Sequence, residues 1–276
     1  MKIFKLNIIT ALCIILLVHE AKAQQQAKAD TLAKAPESAA ELAKKLSNPV
    51  ASLISVPFQN NTDYGIGPYN GSKNTTNFQP VIPLQLSKST NLIVRAILPF
   101  ISQRDISGPN TSQVGLSDIT ATAFFAPSNP KNGFVYAAGP VFLIPTGTDK
   151  YLGTQKFGIG PSGLILQQTG PLTYGMLFNQ IWSVAGSADR VNVNQLYIQP
   201  FFAYNWKSGA GLGLNSEMTQ NWQASTFTAY INPALTGVTK LGSQTVQMGL
   251  GPRIPICGAN HPDFGFRGVL TLVFPK

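Results

Sequence analysis

The sequence predicts an all-β protein: a single antiparallel transmembrane β-barrel of about twelve strands, with a short N-terminal helical segment. Three observations predict this fold class. Segments of roughly ten residues alternate between apolar and polar side chains, the chain is poor in charge, and the breaks between segments alternate between long and short. Strands of about ten residues are what a tilted barrel needs to cross a membrane.

Composition excludes several other classes of protein. Charged residues make up 11% of the 276 residues, against about 25% in an ordinary soluble domain, while hydrophobic residues are at 44%. A disordered charged tail, a coiled coil and a polytopic helical membrane protein are therefore excluded. The net charge is +9, but Lys44-Lys45 is the only basic pair, so we expect no nucleic-acid partner.

The first residues resemble an export signal. Lys2 and Lys5 precede the apolar run Ile8–Val18, and Ala21-Lys22-Ala23 forms a small-x-small cleavage site. This pattern predicts a signal peptide over residues 1–23. A membrane anchor is the alternative, but the run is short for a membrane-spanning helix.

Beyond the predicted signal peptide the chain keeps one cysteine, Cys257, and one histidine, His261. An internal disulfide is therefore impossible. A metal site or a histidine-dependent triad would depend on a single histidine in a Gly/Asn/Pro loop, so we expect no metal and no cofactor.

Residues 24–50 differ from the rest in being rich in Ala, Lys and Glu. Ser38 followed by Glu41 is a capping-box pattern, and apolar residues continue at helical spacing until Pro49. The segment is predicted to be a periplasmic tail containing a short helix. A plug inside the barrel is the alternative, and the tail is favoured.

Residues 51–276 carry the predicted barrel. Its segments run Leu53–Asn61, Thr76–Leu86, Asn91–Gln103, Gly115–Ala126, Phe134–Pro145, Phe157–Gln168, Leu172–Val184, Asn194–Trp206, Gly211–Asn221, Thr226–Gly237, Thr245–Ile256 and Phe264–Phe274.

Alternation alone also fits a secreted β-sandwich with its apolar faces inside. The polar faces, however, are poor in Lys and Glu and rich in Gly, Asn, Gln, Ser and Thr, which suits a confined lumen. Aromatic residues also lie near segment ends, as in the interfacial girdles of membrane barrels. These residues are Tyr174, Trp182, Tyr204 and Trp206.

The breaks between segments favour a barrel as well. Thr62–Thr75, Arg104–Val114 and Thr146–Lys156 are long, whereas Ser87–Thr90 and Lys207–Ala210 are short. This alternation is expected of a membrane barrel that has long outer loops, short periplasmic turns and both termini in the periplasm. Prolines inside many segments oppose a regular ladder, so we expect bulges or strand ends at those positions.

Several stretches resemble a known family. They are QPFFAYNW (Gln199–Trp206) with the following Ser208–Gly213 and Asn215–Glu217, VGLSDI (Val114–Ile119), and the closing GVLTLVF (Gly268–Phe274). Together they are similar to the bacterial outer-membrane barrel family named for the meta-pathway of phenol degradation, often mislabelled neuromedin U. Ser117 replaces a family glycine, and Pro275-Lys276 follow the closing aromatic residue. The resemblance implies a Gram-negative outer-membrane barrel that transports hydrophobic compounds.

Charged and polar residues opposite the apolar stripes are candidates for lining the lumen. Their functional interpretation is a constriction that selects anions or the polar parts of a solute. The structural alternative, which is favoured, is an internal network of ion pairs and hydrogen bonds that fills a narrow barrel. The candidates are Arg95, Asp118, Gln199, Asn215, Glu217, Arg253 and Arg267.

The sequence favours an outer-membrane channel or passive transporter for small, partly hydrophobic solutes. A structural or adhesive barrel with a closed lumen is the alternative. An enzyme is disfavoured, because no strand carries a histidine and only Glu217 with Asp118 could form a carboxylate pair. The expected partners are outer-membrane lipid, the outer-membrane assembly machinery and a small-molecule solute of unknown identity.

Overall fold

The structure, a computed structural model, describes residues 37–274. The predicted signal peptide and Pro275-Lys276 lie outside the described residues. One helix and fourteen strands follow in chain order: α1 Ala39–Leu46, β1 Ile54–Ile66, β2 Gly71–Phe78, β3 Val81–Gln85, β4 Thr90–Arg104, β5 Ser112–Leu116, β6 Ile119–Pro127, β7 Phe134–Ile144, β8 Lys156–Thr169, β9 Leu172–Gly186, β10 Asn194–Asn205, β11 Ala210–Asn221, β12 Thr226–Leu241, β13 Gln244–Cys257 and β14 Phe264–Phe274. No helix within residues 37–274 is long and apolar enough to cross a membrane.

The strands form one closed antiparallel ring, which confirms the predicted fold class. Neighbours in sequence pair with each other, except β2 with β3 and β5 with β6, and β1 closes the ring on β14 from Ile54↔Phe274 to Tyr64↔Phe264. Twelve places surround the lumen, because β2 with β3 and β5 with β6 each occupy one place. The first of these pairs is interrupted at Gln79-Pro80 and the second at Ser117-Asp118.

The two ends of the barrel differ in their connections. The helix end holds α1 and the short turns at 86–89, 128–133, 170–171, 206–209 and 242–243. The loop end holds the connections 67–70, 105–111, 145–155, 187–193, 222–225 and 258–263.

One predicted loop is wrong. The expected long break Thr62–Thr75 is instead a hairpin, in which β1 continues to Ile66 and β2 starts at Gly71. The turn uses left-handed backbone at Gly67 and Asn70, two residue types that tolerate positive φ. This stretch is polar on both faces, so it lacked the apolar stripe by which the other strands were recognised.

The outer face of the barrel is apolar and rich in aromatic rings. Tyr174 and Trp206 lie near the helix end, and Trp182 lies near the loop end. Also near the loop end, the ring of Tyr64 stacks on that of Phe264, with 5.2 Å between the ring centroids. Aliphatic side chains lie between them, as at a lipid-facing surface. Exposed examples are Ile165, Met176, Leu212, Leu214, Leu235, Met248, Leu250 and Leu270.

Prolines interrupt the ladders, as expected. The β8–β9 pairing passes directly from Ile159↔Trp182 to Ser162↔Asn179 and omits Gly160-Pro161. A Cβ on Gly160 would lie 1.8 Å from the carbonyl oxygen of Gln180, so only glycine fits this close approach. The same 1.8 Å contact recurs at Gly139 and Gly251, each of which also precedes a proline.

The α1 helix begins at the predicted capping box. The Glu41 amide donates to Ser38 Oγ at 3.2 Å, and the Ser38 amide donates to Glu41 Oε2 at 3.1 Å. The segment after the helix is bound to the barrel wall: Asn205 Nδ2 donates to Ser47 Oγ at 3.0 Å, and Asn91 Nδ2 donates to Ser52 Oγ at 3.0 Å. Such contacts with the barrel wall are expected of a plug, but they are not required of the periplasmic tail that the sequence favours.

Candidate functional site

Arg253 and Arg267 lie on adjacent strands, β13 and β14, and share one carboxylate from β11. Arg253 Nη1 donates to Glu217 Oε2 at 2.6 Å, and Arg267 Nη2 donates to Glu217 Oε1 at 2.7 Å. The side chains of the two arginines are only 10% and 4% exposed. Charge-assisted bonds of this length are strong, and they hold three strands together across the lumen.

A second carboxylate, Asp63 on β1, forms an ion pair with Arg253. Its Oδ1 lies 3.2 Å from Arg253 Nε. Around the four charges, Asn61 accepts from Arg267 Nε at 2.7 Å, Asn232 accepts from Arg253 Nη1 at 3.2 Å, and the Arg253 guanidinium lies 3.6 Å from the centroid of the Tyr230 ring. Two arginines thus pair with two carboxylates in a network that sequence reasoning found only in part, and Lys73, the register partner of Asp63, borders the same loop-end cavity.

Asp63, Asn61, Asn232 and Tyr230 were missed as site residues. Asp63 fell in the predicted loop Thr62–Thr75, although it lies two residues beyond Asn61 and hence on the same strand face. This spacing of two residues is the signal in the sequence that could have identified Asp63. Asn215, a predicted candidate, lies in the same network, where its Oδ1 accepts from Asn232 Nδ2 at 3.0 Å.

Arg95 on β4 lies apart from this network. Its Nη2 donates to Gln79 Oε1 at 3.1 Å, and within residues 37–274 its side chain makes no other hydrogen bond and no ion pair. Gln199, another predicted candidate, borders the same cavities as Arg95. Arg95 is therefore a lumen cation that forms no ion pair within residues 37–274, although Glu217 borders the same middle cavity.

Asp118 does not join the arginines or Glu217. It lies in the interruption between β5 and β6, where its oxygens accept from the Gly147 amide at 3.0 Å and from both the amide and hydroxyl of Thr154 at 2.6 Å. Asp118 therefore makes no contact with Glu217, the one residue with which the sequence allowed a carboxylate pair. Asp118 instead anchors the 145–155 loop, which Arg190 also binds through the carbonyls of Lys150 and Gly153 at 2.7 and 2.8 Å.

Four cavities follow one another along the lumen. A cavity of about 270 Å³ at the helix end shares Gln79, Arg95 and Gln199 with a middle cavity of about 250 Å³. The middle cavity shares Asn61 with a cavity of about 380 Å³ at the loop end, and Gln195 with one of about 340 Å³ beside Asp118. The Arg253–Glu217–Arg267 network lies where the middle cavity meets the loop-end cavity.

The strand patterns predicted a polar lumen, but the lumen is polar only in part. A buried apolar cluster fills part of it, and Val50, from the segment after α1, packs into this cluster with Tyr197 and Phe201 at its border. The cluster was missed because β8 and β9 carry apolar residues on both faces, which hides their alternation. Its members include Val81, Ile93, Phe124, Leu164, Leu166 and Leu177.

We compared the twelve-stranded barrel with solved structures. The chain is similar in fold to an outer-membrane channel. The crystal structure of that channel, from Pseudomonas putida F1, matches with a TM-score of 0.63 and 16% sequence identity over 80% of this chain and 94% of that one. The β domain of the Bordetella autotransporter BrkA matches with a TM-score of only 0.45 and 10% identity, over 81% of this chain and 100% of that domain.

No family model matches the sequence, and none of the curated proteins matches it. At 16% identity the likeness to the channel concerns the fold alone. The membership in the phenol meta-pathway family that residues 199–206 suggest therefore stays a prediction. Among residues 37–274, no three His, Cys, Asp or Glu side chains are grouped so that they could hold a metal ion.

Proposed function

We propose that this chain forms a passive channel of the bacterial outer membrane for small, partly hydrophobic solutes. The observation that carries the proposal is the series of cavities from the helix end to the loop end, in which each cavity shares at least one wall residue with the next.

The walls of this path fit a solute of mixed polarity. At the helix end, Val81 and Phe201 border the cavity together with the polar Gln79 and Arg95. In the middle cavity, Ile97 and Ile181 face Gln59 and Asn179. Pockets that bind small molecules are mostly apolar with a few placed polar groups, and this lumen has that composition.

Location in the outer membrane is part of the proposal. Support comes from the exposed apolar band, with aromatic rings near both of its ends, and from the export signal predicted in residues 1–23. We expect cell fractionation to recover the folded chain with the outer membrane and to show heat-modifiable migration on gels. Recovery as a soluble periplasmic protein would contradict this part of the proposal.

A closed structural barrel is the second candidate, and one observation favours it. Residues 45–51 border the helix-end cavity, and Val50 is only 4% exposed within the lumen cluster. The segment thus narrows the path at this end, and its removal separates the two candidates.

Deletion of residues 24–50 should leave a folded barrel, because none of the described residues 37–50 belongs to a strand and the ring closes between β1 and β14. Proteoliposomes containing the truncated chain should admit arabinose severalfold faster than those containing the full mature chain, which should itself exceed empty liposomes. Swelling rates, normalised to the amount of heat-modifiable barrel, provide the measurement.

Two outcomes would count against these expectations. If the full chain and the truncated chain both fold but neither exceeds empty liposomes, the barrel is closed and the channel proposal fails. If the truncated chain cannot fold, the segment is an integral part of the barrel.

A further inference from the structure

The charges inside the barrel do not cancel at every level. Around the Arg253 network, two guanidinium groups face the carboxylates of Asp63 and Glu217, with N–O distances of 2.6 to 3.2 Å. Arg95 forms no ion pair within residues 37–274, and its partner Gln79 is neutral. A guanidinium has five N–H donors, so most of those on Arg95 remain for a ligand.

Arg95 also lies at the junction of two cavities. It borders both the helix-end cavity of about 270 Å³ and the middle cavity of about 250 Å³. Its side chain therefore belongs to the wall that the two cavities share. Together these spaces suit a small molecule rather than a long chain, since drug-sized pockets usually measure about 300–1,000 Å³.

Apolar surface lies beside the guanidinium. Val81 is the register partner of Arg95 on the neighbouring strand, and Ile93 lies two residues away on the same face of β4. Both belong to the buried cluster that Phe201 borders. The site therefore offers one fork of cationic donors next to an apolar wall.

Resting on the proposed channel function, we infer that Arg95 forms a binding site for small monocarboxylates with an apolar body. The planar guanidinium pairs with a carboxylate through two parallel hydrogen bonds, and the apolar body of the ligand packs on the wall formed by Val81 and Phe201. The site would hold the anionic end of a solute in transit between the two cavities.

Calorimetric titration of the full mature chain in a non-ionic detergent tests this inference with benzoate as the probe. Benzamide has nearly the same shape without the charge, and acetate has the charge without the apolar body. We expect benzoate to bind at least about tenfold more tightly than either, because only benzoate uses both halves of the site.

Variants locate the site. Arg95→Gln should weaken benzoate binding about tenfold or more and leave benzamide binding unchanged. Arg104→Gln is the matched control, because the Arg104 side chain is 74% exposed at the loop end; it should bind benzoate like the unmodified chain. If Arg95→Gln does not fold, the comparison of the three probes on the unmodified chain still decides.

The inference would be overturned if benzamide or acetate bound as tightly as benzoate. It would also be overturned if benzoate did not bind, or if it bound to Arg95→Gln with unaltered affinity. These failures are distinct from a failure of the proposed function. Arabinose flux without benzoate binding would refute the carboxylate site alone. Benzoate binding without flux would refute the channel and leave the site.

Discussion

Replacement of Glu217 by Gln will destabilise the folded barrel by about 3–5 kcal/mol, the usual cost of removing one partner from a buried ion pair. Glu217 is the single carboxylate that accepts from both Arg253 and Arg267, at 2.6 and 2.7 Å. The amide of Gln keeps the size of the side chain, but its NH2 group turns donors toward one of the two arginines. One buried guanidinium then loses its partner.

Urea titration of the refolded protein, followed by tryptophan fluorescence, measures the change in the free energy of unfolding. Asp189→Asn is the control, because Asp189 lies exposed in a connection at the loop end. It should change stability by less than about 0.5 kcal/mol. If Glu217→Gln and Asp189→Asn gave the same unfolding curve, the network would not contribute to folding.

Replacement of Gly160 by Ala should cost about 2–3 kcal/mol or prevent folding, because the added methyl group meets backbone rather than a movable side chain. Its Cβ would lie 1.8 Å from the carbonyl oxygen of Gln180, so β8 and β9 would have to separate. Gly237→Ala is a matched control in β12, where an added Cβ meets nothing within 4 Å.

We expect Gly237→Ala to fold as well as the unmodified chain or slightly better, since alanine loses less backbone entropy than glycine on folding. The yield of heat-modifiable barrel and the urea midpoint compare the two variants. A Gly160→Ala barrel as stable as Gly237→Ala would show that the interrupted ladder at Pro161 tolerates a wider spacing between strands.

The sequence was sufficient to predict the architecture, because strand alternation is a local property. In β11 and β13, for example, apolar and polar residues alternate without interruption, and the structure exposes Leu212, Leu214, Met248 and Leu250 on the outer face. The places where strands break were partly predictable as well. Pro80 marks the gap between β2 and β3, since proline lacks the amide that the ladder requires.

The arrangement of the lumen could be predicted only in part. Alternation places Arg95, Arg253 and Arg267 on inward faces, but it does not show that Glu217 forms ion pairs with Arg253 and Arg267 and none with Arg95. That depends on the stagger of distant strands: Asn61 and Arg267 are register partners although they are 206 residues apart in the chain. Asp118 was grouped with the lumen charges because its partners, Gly147 and Thr154, are distant in sequence and strand alternation does not reveal them.

The structure also changes what is expected of the three arginines. All three were candidates for a constriction that selects anions, but Arg253 and Arg267 form ion pairs with Glu217 and Asp63. Arg95 forms no ion pair within residues 37–274, and it borders both the helix-end and the middle cavity. We therefore propose that Arg95 sets the ion preference and that the other two arginines hold the barrel together.

Single-channel recording of the full mature chain in a planar lipid bilayer tests most directly the claim that the lumen is a continuous path governed by Arg95. In a potassium chloride gradient we expect discrete current steps with a reversal potential that favours chloride. Arg95→Gln should abolish this preference and retain the steps, and Arg104→Gln should change neither. Folded protein that gives no current steps, or a chloride preference that survives Arg95→Gln, would contradict the claim.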